Sequence, residues 1–128
     1  MLKTASELDP KTYSDTALKA FFRLAERWKL TIEEQMGLLG LGTRRSTLFH
    51  WKKNGGLLTP DTLERVSYLL GIYKALQILL PTGPAADAWV KKPNTAPLFA
   101  GKPAIQRMVK SMGDLAAVRY YLDGELGG

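Results

Sequence analysis

The sequence predicts an all-α protein. Apolar residues recur at three- and four-residue spacing through most of its length, helix caps and glycine stops separate these segments, and no stretch shows the two-residue alternation of a strand. The helices group into two packed parts, residues 1–80 and 81–128. Ser14-Asp15 reads as the cap of a first helix, in which Leu18, Phe21, Phe22, Ala25 and Trp28 form one apolar face. Thr31 opens a second, with Glu34 three residues on completing a capping box, and it stops at Gly40-Leu41-Gly42. Thr43 is expected to cap a third helix that runs to Lys53 and ends at Asn54-Gly55-Gly56. Thr59-Pro60-Asp61 supplies the cap, first-turn proline and first-turn acid of a longer helix reaching Leu80. Its apolar residues, among them Leu63, Val66, Leu70, Tyr73 and Leu76, cover more than one face, which predicts burial on two sides, within the chain or in a dimer. After the Pro81–Pro84 turn come short helices over residues 85–91 and 104–110, separated by a turn containing Pro93, Pro97 and Pro103. A last helix follows Ser111-Met112-Gly113-Asp114.

At 128 residues, with 45% apolar and 23% charged side chains, the chain has the balance of a folded globular protein. No apolar run approaches the roughly 20 residues that span a bilayer, and the first ten residues carry Glu7 and Asp9 and no apolar stretch like that of a signal peptide. A cytoplasmic location is expected. With no cysteine and one histidine, His50, neither a thiolate zinc site nor a two-histidine metal site can be built, and no cofactor is expected. No nucleophile sits in a recognisable spacing with a base, and no carboxylate pair stands out, so the chain is not read as an enzyme.

The net charge of +6 is concentrated. Residues 1–42 carry six basic and six acidic side chains and residues 54–80 two of each, whereas Arg44, Arg45, Lys52 and Lys53 lie within residues 43–53 with no acid. Two short helices joined by a glycine turn, the second of them basic, are the ingredients of a helix-turn-helix. Leu48 and Trp51, three apart, anchor one face of the second helix. At 100 degrees per residue Ser46, His50 and Lys53 then point outward, with Arg45 and Phe49 on the flank. Such a face fits the major groove of double-stranded DNA. Arg45 suits a guanine, Ser46 and His50 base edges, and Phe49 a thymine methyl, while Arg44, Thr47, Lys52 and Lys53 suit phosphates. The alternatives are a surface aromatic, or one tucked against the last helix, for Phe49 and a solvated polar side chain for His50. Gly37, inside the second helix, costs about 1 kcal/mol of propensity relative to alanine, for which a close approach to the third helix is the expected compensation.

The order Thr31 to Leu41, then Thr43-Arg44-Arg45-Ser46-Thr47-Leu48, then Trp51, resembles the Xre class of helix-turn-helix repressors. Trp89, Asn94, Pro97, Phe99-Ala100-Gly101-Lys102-Pro103-Ala104, Met108, Val118-Arg119-Tyr120-Tyr121-Leu122-Asp123 and the closing Gly127-Gly128 resemble the toxin-binding domain of the Xre/MbcA/ParS antitoxin family. That resemblance implies an antitoxin that blocks a partner toxin, commonly a RES-fold enzyme that consumes NAD, and that represses its own operon by binding promoter DNA. Val118, Arg119, Tyr120, Tyr121, Leu122, Asp123, Gly127 and Gly128 are the segment expected to meet the toxin. The alternative is that Val118, Tyr121 and Leu122 pack the helix while Arg119 and Asp123 pair on its surface. At the level of the whole chain the competing reading is a stand-alone repressor whose second part dimerises or senses a ligand. A homodimer is expected on either reading, because one helix-turn-helix rarely makes enough contacts alone.

Overall fold

In a computed structural model of the chain, residues 9–127 are described. They form seven α-helices: α1 (Pro10–Arg27), α2 (Ile32–Leu39), α3 (Arg45–Asn54), α4 (Pro60–Leu79), α5 (Gly83–Ala88), α6 (Ala104–Met108) and α7 (Met112–Glu125), with a single 3-10 turn at Trp89–Lys91. Among the described residues there is no strand, only an isolated bridge between Pro93 and Pro103. No helix among them is long and apolar enough to cross a membrane.

The first helix begins earlier than Ser14. Asp9 caps it, accepting from the Thr12 amide (3.0 Å) and the Thr12 hydroxyl (2.7 Å), and Pro10 occupies the first turn, where its missing N–H costs nothing. Ser14 and Asp15 act over long range instead. The buried Ser14 hydroxyl accepts from the Leu58 amide at 3.0 Å and Asp15 from the Gly56 amide at 3.2 Å, which ties the loop after α3 to α1. The capping box of α2 is present, with Thr31 accepting from the Glu34 amide (3.1 Å) and Glu34 from the Thr31 amide (2.8 Å). Gly40, at φ 72°, closes the helix in the left-handed region that glycine tolerates.

Thr43 does not cap α3. The cap position is Arg44, without a side-chain cap bond. The Arg44 guanidinium turns back toward α2 and donates to the carbonyls of Leu41 (3.1 Å) and Gly40 (3.5 Å), where a helix C-terminus favours a cation. Thr59 caps α4 through the Thr62 amide at 3.2 Å, and Ser111 caps α7 through the Asp114 amide at 3.0 Å, as their sequences predict. The segment expected over 85–91 begins at Gly83 and tightens into the 3-10 turn Trp89–Lys91, whereas the one expected over 104–110 is shorter, α6 ending at Met108 ahead of the extended Ser111.

The long helix α4 is the shared wall of the fold. α1 lies against its Leu63, Val66 and Leu70 side, and α7 against Tyr68 and Gly71. Its two-sided apolar pattern is therefore filled within the chain, leaving Ile78 as its large exposed apolar residue. One continuous core joins Phe21, Leu38, Leu48, Leu69 and Ile72 to Val90, Phe99, Met108, Val118 and Leu122, so it runs through both parts.

Gly37 has the expected close approach but a different neighbour. A Cβ there would stand 2.9 Å from Val109 Cβ and 3.3 Å from the Val109 carbonyl, so α2 packs closely on the α6–α7 connection and not on α3. Gly37→Ala is expected to destabilise the protein by about 1–3 kcal/mol despite the better helix propensity, because a neighbouring backbone must give way. Urea unfolding checks this, and an unchanged or raised midpoint would refute it.

Candidate nucleic-acid and partner-binding surfaces

Helix α3 is held by one buried side chain and presents the rest. Leu48 is fully buried and Trp51 partly so, while Arg45, Ser46, Phe49, His50, Lys52 and Lys53 are exposed and Thr47 is half-buried beside them. Phe49, 47% exposed, stands on the surface and not against the core. Arg45 is the one cation of the cluster in an ion pair among the described residues. Its guanidinium meets Glu33 in the first turn of α2, and both partners are more than half exposed, so the pair is weak and exchangeable. The His50 ring nitrogen Nδ1 lies 3.3 Å from the Asn54 amide. The helix thus offers a hydrogen-bonding and cationic face backed by an apolar anchor.

The second surface is α7. Leu115, Val118 and Leu122 share its inner side and are buried. Val118 and Leu122, expected in the toxin-facing segment, are thus placed in the core, as the four-residue repeat of the helix dictates. Tyr121 is half-buried, its ring 5.4 Å edge-on from Phe99, which itself stands 5.6 Å edge-on from Trp89. The Asn94 side chain accepts from the Ala96 amide at 2.9 Å and the Gly101 amide bonds the Asn94 carbonyl at 2.8 Å, closing the loop that carries Phe99. Trp89, Asn94 and Phe99, singled out in the sequence, thus build the frame of the second part.

Arg119 lies flat across Gly71 of α4 and donates from Nε to Asp123 at 3.2 Å. A Cβ at Gly71 would meet the guanidinium, the flexible end of Arg119, which would have to move aside. Tyr120 is 62% exposed and meets Tyr68 edge-on, with ring centroids 6.3 Å apart. The hydrogen bond with Tyr120, then desolvation, with a smaller contribution from the Glu64 carboxylate, pushes the Tyr68 phenol up to about 12. Gly127 is exposed, and Gly128 lies outside the described residues. The outward face of this half is thus Tyr120, the edge of Arg119, Asp123 and Gly127. Leu126, 41% exposed, and Tyr68 join it without having been singled out in the sequence. Only the fold brings Tyr68 to α7, whereas an apolar Leu126 between glycines was a visible signal.

Residues 15–71 match the family model of the antitoxin Xre-like helix-turn-helix domain, and residues 75–128 match that of the antitoxin Xre/MbcA/ParS C-terminal toxin-binding domain. The two matches meet inside α4. A curated protein of Sinorhizobium fredii (strain NBRC 101917 / NGR234), the uncharacterised protein y4oB, is 46% identical over 112 residues, or 87% of this chain and 84% of the relative. With a helix-turn-helix presenting α3, a second half framed by Trp89, Phe99 and Tyr121, and both matched along nearly their whole length, the chain belongs to the Xre/MbcA/ParS antitoxins and its partner is a toxin.

Proposed function

We propose that this antitoxin blocks a RES-type, NAD-consuming toxin with the outward face of α7 and its C-terminal end, and represses its own operon as a homodimer that places α3 in the major groove of promoter DNA. The observation that carries the proposal is the separation of two exposed surfaces on one core. Arg45, Ser46, Phe49, His50, Lys52 and Lys53 stand out from α3, while Tyr120, Arg119 and Asp123 stand out from α7. A cationic guanidinium followed along the helix by the exposed Tyr120 has the chemistry to occupy a pocket that otherwise receives the phosphates and rings of a dinucleotide, through charge-assisted hydrogen bonds and stacking. Arg45 has the reach and fork geometry for a guanine edge, and its exposed pairing with Glu33 is weak enough to be exchanged for one.

Co-expression with the neighbouring gene tests the proposal. The two proteins are expected to co-purify, the neighbour alone is expected to deplete cellular NAD and arrest growth, and the pair is expected to retard the promoter fragment in a gel. If a toxin co-purifies but NAD stays constant when it is expressed alone, the RES assignment is wrong. Sedimentation that gives a strict monomer both free and on the operator would overturn the dimer.

A further inference from the structure

The basic surface of α3 continues off that helix. Between α1 and the C-terminal half of α3 runs an open groove of about 430 Å³, bordered by Lys19 and Arg23 of α1 and by Lys52 and Lys53 of α3, with Phe22 and Trp51 between them. None of these four cations forms an ion pair among the described residues. Two carboxylates line the same groove. Asp15 is already engaged: Lys11 donates to it at 2.8 and 2.6 Å and the Gly56 amide at 3.2 Å, and Lys11 foremost holds its carboxyl below the usual aspartate range. Glu26 stands one turn beyond Arg23 and leaves the Lys19 to Lys53 stretch in positive excess. On α2, the other element beside α3, Glu33 is paired with Arg45 and Glu34 with Lys91 at 3.0 Å, so its first turn offers no cation of its own.

We infer that this groove is the track of one DNA phosphate strand, with Lys19 and Arg23 of α1 binding phosphates alongside Lys52 and Lys53. The inference rests on the DNA-binding reading of α3 and extends the interface to a second helix. A strand running past the end of α3 meets cations on both walls of the groove and neutralises them without presenting base edges. Lys19 and Arg23 therefore contribute affinity and orientation but no sequence preference. On the α2 flank the acids Glu33 and Glu34 are already paired with Arg45 and Lys91, so the cations of the α1 side, unpaired among the described residues, form the attractive wall.

The test uses the full chain, a labelled duplex from upstream of its own gene and an unrelated duplex of equal length, with affinity measured by anisotropy across a salt series. Lys19→Gln/Arg23→Gln is compared with Lys74→Gln/Lys110→Gln, a pair of exposed lysines elsewhere whose loss changes net charge equally. Loss of two phosphate contacts makes the log-log salt slope shallower by about 1.8 for the groove variant, equally on both duplexes, and the control variant stays near the parent. Coincident slopes for groove and control variants overturn the inference. If α3 charge removal meanwhile weakens binding, the failure belongs to the groove alone; if α3 charge removal also leaves binding unchanged, the DNA reading falls and takes the groove with it. A groove variant that loses affinity on the promoter but not on the unrelated duplex also overturns it, because that pattern is base reading.

Discussion

Replacing Arg44, Arg45, Lys52 and Lys53 together by alanine is expected to lower promoter affinity about a thousand-fold at physiological salt and to leave the protein folded. Each phosphate contact releases close to one counterion, which at 0.15 M salt is worth roughly 0.7 log units, so Arg44, Lys52 and Lys53 account for about a hundred-fold. A guanine contact by Arg45 adds about 1–3 kcal/mol. The fold is expected to survive because all four side chains are exposed; Arg44 bonds only to the Leu41 and Gly40 carbonyls, and Arg45 only to Glu33 in an exposed pair. Anisotropy and a thermal melt on the same sample check both halves of this expectation. Tight promoter binding by a folded quadruple variant would remove α3 from the interface.

Neighbouring residues of α7 are expected to give opposite outcomes. Leu122→Ala deletes a core side chain that is 2% exposed and is expected to cost about 2–5 kcal/mol, a large share of the 5–15 kcal/mol that holds a typical domain together. Tyr120→Ala, at a position 62% exposed, is expected to change stability by no more than about 0.5 kcal/mol yet to weaken toxin binding by about 2 kcal/mol or more, near thirty-fold. Denaturant unfolding and calorimetric titration with the toxin separate the two effects. Equal toxin affinity for the Tyr120 variant and the parent would move the contact away from this face. The contrast also rules out chain truncation before Val118 as a probe, since such a chain lacks two core side chains and its loss of inhibition would report unfolding.

Much of this fold follows from rules that act within one or two helical turns. Thr31 with Glu34, Thr59 with Thr62 and Ser111 with Asp114 cap their helices by contacts three residues apart, so the sequence displays them in full. Ser14 and Asp15 were misleading because their partners, Leu58 and Gly56, lie 44 and 41 residues away, while Asp9-Pro10 satisfies the same capping rule earlier. Gly37 announced a close approach, but its neighbour, Val109, is set by tertiary packing. In the site regions, the Leu48 anchor and the exposed α3 face follow from helical periodicity, as do the buried Val118 and Leu122 and the Arg119–Asp123 pair. Lys19 and Arg23 escaped notice for a different reason. Residues 1–42 balance to zero charge when summed along the chain, and only the folded helix separates Lys19 and Arg23 from acids such as Glu33 and Glu34 on a different element.

The position of α4 bears on how long each activity persists in a cell. Because α1 packs on one side of it and α7 on another, a proteolytic cut within α4 leaves neither fragment with a closed core, and unfolding begun at either end is carried to the other. The surfaces proposed to face the toxin and DNA are therefore expected to share a single lifetime. If the DNA-binding proposal holds, degradation that frees the toxin is expected to empty the promoter as well, and one intact chain to restore both.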